Sequence, residues 1–483
     1  MSPSPGDPIL EAFTRLARQR PEATLVLARD GAVTAARLEI LSRDAERTLT
    51  GLEIPPGSPV AVRGPNGAGF LAGFLAARRA GHPVVLLDHR AAEPEVERSI
   101  RHFGLQAVLR AETGGGETVE LSRLAGPRLD PPPPGTAVVK LTSGSSGEAR
   151  GVATTAAALL HDDRALRSSM GITADDRLLA LVPFAHSYGL SSLLVPALTV
   201  GLTLVVPDDR GPFGALAAAR RHAVTVLPTV PAYLVALLRL DRSDLLPPSL
   251  RLVISAGAAL TPSVAQRFRR RFGLPVHAFY GASECGGITY DREGSAAEHG
   301  AVGEPVDGVT VELEPVDDLP AEQGRRVVVR SAAVATGYWP AEDARLGAGR
   351  YRTGDLAVAT GDGLALVGRL DRLIHVRGSK VSPLEVERVI AQLPAVDDVS
   401  VHGVIDPGSG DEVVRAVVAS GNGVTADEVT RWCRQRLADF KIPRRVVVLR
   451  ELPRTARGKL DRRRLEGLLA ETSAGGVNDP GAS

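Results

Sequence analysis

LTSGSSGEARG, residues 141–151, gathers three glycines, three serines and a threonine, with one basic residue, Arg150, near its end. Only a short apolar run, TAVVK at 136–140, precedes it. Glycine lets backbone N–H groups converge on an anion, and hydroxyls add further donors, so the stretch suits a phosphate cradle. A flexible Ser/Gly linker is the bland alternative. It is not a Walker loop, which requires Gly-x-x-x-x-Gly-Lys-Ser/Thr. Gly144 and Gly147 stand too close together and no Gly-Lys-Ser/Thr follows. A nucleoside triphosphate remains a possible ligand, outside the standard P-loop class.

Working outward, helix and strand patterns alternate. GPNGAGFLAGFLAARRAGHPVVLLD (64–88) reads as a helix ending at Gly81 and then a strand. ALAAARRHAVTVLPTVPAYLVALLRL (215–240) reads as helix, strand, proline-broken turn and helix. LRLVISAGAAL (250–260) is a strand entering a small-residue turn; PSVAQRFRRRFG (262–273) is helical, and PVHAFYGASE (275–284) is strand and loop. Such alternation predicts an α/β fold of helix-covered β-sheets. From about Ala301, VGEPVDGVTVELEP and RRVVVRSAAVATGYW read as short strands with turns, a barrel-like subdomain. After Gly368 the pattern is that of a smaller α+β unit.

Composition narrows the class. The 483 residues suggest about three folding units. Lys plus Arg number 57 against 56 Asp plus Glu, a net charge of +1, which argues against a nucleic-acid binder. Two cysteines, Cys285 and Cys433, make neither a disulfide framework nor a zinc cage, as expected in a reducing cytoplasm. The N-terminus has no apolar signal-peptide core. LSSLLVPALTVGLTLVVP (190–207) is short and broken by Pro196 and Gly201, so it reads as a buried helix and strand with no membrane span.

Four further stretches join the first: YGASE (280–284), YRTGD (351–355), GRLDRLIHVRGSKVSPLEVE (368–387) and LPRTARGKLDRRRL (452–465). In this order, the set closely resembles the adenylate-forming superfamily of acyl- and aryl-CoA synthetases, peptide-synthetase adenylation domains and luciferases. The resemblance runs from around Arg37 to Leu465. It implies that a carboxylate attacks the α-phosphate of Mg-ATP to give an acyl adenylate and pyrophosphate. A nucleophile, usually the thiol of CoA or of a carrier protein's phosphopantetheine, then captures the acyl group. It also implies a large N-terminal AMP-binding domain over 1–369, whose last part (about 300–369) is the barrel-like subdomain. A hinge at 370–371, a small mobile α+β lid over 372–470 and a disordered tail over 471–483 complete the expected layout.

Roles follow on the matching residues. Thr142, Ser143, Gly144, Ser145, Ser146 and Gly147 would wrap the β- and γ-phosphates. Arg150, where the family pattern usually has Lys, keeps the charge but reaches as a planar fork. Glu284, with Ser145, would hold Mg2+, a hard cation suited to oxygen ligands. Tyr280 would lie against adenine, flanked by Gly281 and Ser283, with Gly257, Ala258 and Ala259 lining the other side of the base; simple helix–strand packing is the alternative for those three. Asp355 would take the ribose hydroxyls and Arg369 the ribose or phosphate; a structural salt bridge is the alternative for Arg369. Asp371 matches the hinge, beside an Arg372 where a second acid is common. Val376–Pro383, with Gly378, would approach the thiol tunnel. His186, in PFAHSYGL, would sit between acyl pocket and tunnel as a catalytic residue, or else be a packing histidine. Ala185 and His186 occupy the region where α-amino-acid adenylation domains place an Asp, which disfavours an α-amino-acid substrate.

The resemblance therefore implies a ligase joining a small carboxylic acid to CoA, with ATP and Mg2+. The alternatives are loading of a carrier protein in trans and transfer to an amine. A nucleotide-binding scaffold without catalysis is disfavoured because Lys459, Glu284 and Asp355 are all present. Lys459 matches the family's catalytic lysine, a point charge able to bridge the attacking carboxylate and the α-phosphate. Lys459→Ala is expected to lower acid-dependent pyrophosphate exchange by ~10²–10³ or more, as for loss of a transition-state donor; wild-type exchange in the variant would remove Lys459 from that role.

Overall fold

The decisive hairpin pairs Thr136–Ser143 with Ala149–Thr155, antiparallel from Thr136↔Thr155 to Ser143↔Ala149. The strand is longer than the TAVVK run suggested, because Leu141 and Thr142 are recruited by pairing with Gly151 and Arg150. The computed structural model describes residues 6–112, 117–143, 149–209, 211–240, 246–317, 319–341, 343–376, 379–406, 412–421, 423–454, 460–461 and 464–465.

Among these residues the hairpin belongs to a seven-stranded sheet. Its order is Gly337–Trp339, Ala149–Thr155, Thr136–Ser143, Val84–Asp88, Val60–Gly64, Ala107–Ala111 and Val119–Arg123. A second, nine-stranded sheet carries a parallel centre. There Arg177–Leu179, Val226–Thr229, Leu252–Ser255 and His277–Ala282 lie side by side, and Gly286–Tyr290 returns antiparallel beside the last. Both sheets rest on buried helices. Ala68–Arg79 is buried at every position from Ala68 to Ala77, as its unbroken apolar sequence requires. Ala156–Met170 starts on the Thr155 hydroxyl, which accepts from the Ala158 N–H at 3.1 Å and satisfies one of the helix's open donors. Residues 190–207 form a π-helical turn (Leu190–Leu194), a helix (Val195–Val200) and a strand (Thr203–Val205). No helix among the described residues is long and apolar enough to cross a membrane.

A small sheet takes Thr310–Glu314, Arg325–Arg330, Arg350–Thr360, Leu346–Gly347 and Gly363–Arg369. Gly337–Trp339, expected among these short strands, instead closes the seven-stranded sheet by pairing with Ala149–Thr155, Tyr338 opposite Val152. Beyond them lies an α+β arrangement. Asp398–Ile405, Glu412–Ala419 and Arg445–Leu449 form a three-stranded sheet. The helices Pro383–Ala391 and Ala426–Arg434 contribute Val386, Ile390, Val429 and Cys433 to its core. Thr425 and Glu428 start the second helix as a reciprocal capping box.

The described residues divide into two compact units. One holds Met1–Glu314, Val327–Thr353 and Ala359–Ala365; the other holds Pro315–Arg326, Gly354–Val358 and Leu366–Ser483. The fold is mixed α/β, with large sheets and helices in the N-terminal part and a small α+β C-terminal part.

Candidate active site

In the first unit, candidate residues gather where strands end. Parallel α/β sheets bind ligands beyond the carboxyl ends of their strands. Leu252–Ser255 ends there, and Gly257, Ala258 and Ala259 follow it as an exposed turn. Gly257 takes φ +80°, a left-handed conformation open to glycine at little cost. The neighbouring strand His277–Ala282 presents half-buried Tyr280 and exposed Gly281, and the turn after it carries Ser283 and Glu284.

Glu284 is held on two sides. Its carbonyl accepts the Ala335 N–H at 2.8 Å, and its carboxylate accepts the Tyr338 hydroxyl at 2.8 Å. Burial, followed by the charge of Glu284, pushes the Tyr338 phenol pKa up, so the phenol remains a donor. Tyr351 donates in turn to Tyr338, and burial raises its pKa as well. The Arg150 guanidinium stacks over the Tyr338 ring, 4.2 Å from its centroid, and pairs with Asp343 at 3.0 Å. Arg345 is the main cause holding the Asp343 carboxyl well below the usual range. A half-buried carboxylate anchored by one hydroxyl retains acceptor capacity, which fits a cation that keeps several waters.

Ser283 receives a hydrogen bond from the Ser187 hydroxyl at 2.6 Å. That contact brings His186, the residue before Ser187, toward the Glu284 turn. His186 Nε2 lies 2.9 Å from Asp88 Oδ2. Thr142 keeps its hydroxyl on the Arg150 carbonyl at 3.3 Å. In the second unit, Arg369 joins two carboxylates: Nη1 donates to Asp355 at 2.9 Å and Nε to Asp371 at 2.9 Å. Gly144, Ser145, Ser146, Gly147, Gly378 and Lys459 lie outside the described residues, as does the Ser143 side chain.

Several contributors escaped the reading of motifs. Asp88 closes the strand VVLLD, and a charge at the carboxyl end of an apolar parallel strand was the available signal. Tyr338 and Asp343 carry no motif of their own, and Tyr351 opens YRTGD, where only Asp355 was given a role. Lys140, the last letter of TAVVK, is only 3% exposed. Burial pulls its ammonium pKa down, while the charges of Asp162, Glu284 and Cys285 oppose that shift. Cys285 is fully buried and burial pushes its thiol pKa well up, so it packs and does not act as a nucleophile.

The profile of the AMP-binding enzyme family matches residues 13–339, and that of the AMP-binding enzyme C-terminal domain matches residues 385–459. The chain belongs to the AMP-binding enzyme family. It is therefore a member of the adenylate-forming superfamily and an AMP-forming ligase. It is 32% identical to a feruloyl-CoA synthase from an Amycolatopsis species, across 92% of this chain and 96% of that one. Among solved structures it resembles an amide bond synthetase from Marinactinospora thermotolerans, with TM-score 0.80, 29% identity and coverage of 95% and 99% of the two chains. It also resembles the o-succinylbenzoate CoA synthetase from Bacillus subtilis bound to its acyl-adenylate intermediate, with TM-score 0.79, 26% identity and coverage of 94% and 97%.

Tyr338→Phe deletes the hydroxyl that orients Glu284. A hydrogen bond to a charged group, about 1.5–3 kcal/mol, corresponds to a rise in KM for Mg-ATP on the order of 10- to 100-fold in steady-state kinetics. Unchanged kinetics would show that Glu284 acts without that support.

Proposed function

We propose that this ligase activates a small carboxylic acid as its acyl adenylate and passes the acyl group to the thiol of CoA. The observation that carries the reading is the assembly at Glu284: a carboxylate oriented by Tyr338, with the Arg150 guanidinium stacked on the same ring. This is an arrangement for charge developing around a phosphoryl group, preorganised before the ligand arrives. Mg2+, held by Glu284 with Ser145, would neutralise phosphate charge during adenylation. The amides and hydroxyls of 142–147, with Arg150, would bind the departing pyrophosphate. Tyr280 and the open turn at 257–259 would receive the adenine, and Asp355 with Arg369 the ribose. Lys459 would bridge the attacking carboxylate and the α-phosphate. His186 would stand at the acyl end, where the thiol arrives. The small domain would turn about Asp371 between the two steps.

CoA is favoured as acceptor by the similarity to feruloyl-CoA synthase over nearly the whole chain. Likeness to an amide bond synthetase supports an amine as the second reading. A carrier-protein thiol supplied in trans is the remaining alternative.

Purified protein with Mg-ATP and a panel of aryl and acyl acids, ferulate among them, is expected to release AMP and pyrophosphate only when an acid is accepted. A thioester is expected to form only when CoA is added. Acid-dependent pyrophosphate without thioester would shift the acceptor to an amine or a carrier, and absence of AMP with every acid would end the reading. Asp371→Pro is expected to leave pyrophosphate exchange in place and block thioester formation, because proline fixes the backbone that must turn. Equal loss of both steps would count against the hinge.

A further inference from the structure

The Val84–Asp88 strand is buried throughout, and Asp88 is its one charged residue, with its side chain only 4% exposed. The carboxylate is surrounded by donors. Oδ1 accepts the Arg90 backbone N–H at 3.0 Å and Arg90 Nε at 3.1 Å. Oδ2 accepts Arg90 Nη2 at 2.9 Å and faces His186 Nε2 at 2.9 Å. His89 Nδ1 lies 3.5 Å from Oδ1. A carboxylate gripped twice by an arginine is ionised and accepts only. The proton in the contact with His186 therefore sits on Nε2. Burial alone would raise the Asp88 pKa, but the hydrogen bonds from His186 and Arg90 outweigh it and hold the carboxyl far below the ordinary range. With Nε2 committed as donor, a neutral His186 ring carries its lone pair on Nδ1.

The backbone leading to His186 is equally fixed. Buried Asn66 donates to the carbonyls of Ala180 and Val182, both at 2.8 Å, and accepts the Phe184 N–H at 2.8 Å. The His186 N–H donates to the Pro183 carbonyl at 3.0 Å. On the far side, Ser187 binds Ser283, the neighbour of Glu284. The ring is thus oriented by a buried acid at one end and tied through its own backbone to the Glu284 turn at the other.

We propose that Asp88 is a positioning residue for the transfer step: it commits His186 to the Nε2–H form, so that Nδ1 is the atom that takes the acceptor's proton. This rests on the role given to His186 above. In the step, the S–H proton passes to Nδ1 and the sulfur electron pair forms the C–S bond at the acyl carbonyl carbon. The C–O bond to the phosphate breaks, AMP leaves with that electron pair, and the imidazolium, stabilised by Asp88, returns its proton to solvent.

The test is Asp88→Asn in the full chain, with ferulate and Mg-ATP as probe substrates. The adenylate is captured either by CoA or by hydroxylamine, a small nucleophile that needs no base. Hydroxamate formation is expected to stay within about twofold of wild type. Thioester formation is expected to fall on the order of 10–100-fold, as when a partner that orients an imidazole is removed. Equal losses in both arms, or an undiminished thioester rate, would overturn the proposal. A second measurement is independent of turnover: 15N spectra of histidine-labelled protein, with His186 assigned through His186→Gln. Wild type is expected to show the Nε2–H form and Asp88→Asn to lose it; an Nδ1–H ring in wild type would overturn the proposal. If wild type forms no hydroxamate from ferulate, the functional reading fails for that acid and the tautomer alone decides the part played by Asp88.

Discussion

Asp162 is the residue on which the geometry of the large unit turns. It sits on the helix Ala156–Met170, which follows the hairpin of the seven-stranded sheet, and its side chain is buried. Its carboxylate accepts the Gly287 N–H at 2.9 Å, on the strand Gly286–Tyr290 of the nine-stranded sheet, which follows the Glu284 turn. Gly286, at φ +72°, has no room for a side chain: a Cβ there would lie 2.3 Å from Asp162 Oδ1. Burial pushes the Asp162 pKa up, and the Gly287 N–H, then the Ser191 hydroxyl, then the charge of Lys140 work against that shift. A buried carboxylate is costly unless paired and hydrogen-bonded. The Gly287 contact ties the helix that follows the hairpin of the seven-stranded sheet to the nine-stranded sheet, and Ser191 gives the same carboxylate a second hydrogen bond.

Everything assembled at Glu284 inherits that placement. The same turn is held by the Ala335 N–H, by Tyr338 and, through Ser283, by Ser187. Tyr338 arrives because Gly337–Trp339 pairs with Ala149–Thr155, which also brings its ring under Arg150. One strand pairing therefore sets both the donor to the acid and the surface on which the cation rests. Groups fixed in this way would need little reorganisation on meeting a charged ligand, which is where preorganised electrostatics gains over water. In the second unit Arg369 plays a comparable organising part, joining Asp355 to Asp371.

Much of the fold was legible in local sequence. The uninterrupted apolar run of Ala68–Ala77 requires a helix buried on all sides, and the structure contains it. Pro231 starts a helix and Thr261 caps one, as their chemistry favours. Of the residues singled out by the motifs, Glu284 and His186 stand on turns, Arg369 ends a strand, and Tyr280 and Asp355 lie within strands. Lys140 is the instructive failure. Its letter closes an apolar strand, yet pairing across the hairpin buries it among Asp162, Glu284 and Cys285, and no local pattern announces a countercharge 22 residues away.

The sequence by itself determined the family, the alternation of helix and strand, and the kinds of chemical group available for adenylation. These depend on residue type and short-range spacing, which are written along the chain. The tertiary structure alone decided that Asp88 meets His186 across 98 positions and that Tyr338 meets Glu284 across 54. Those contacts join a strand of the seven-stranded sheet to a turn or loop distant in the chain, and a hydrogen bond of 2.8 or 2.9 Å depends on that arrangement in space.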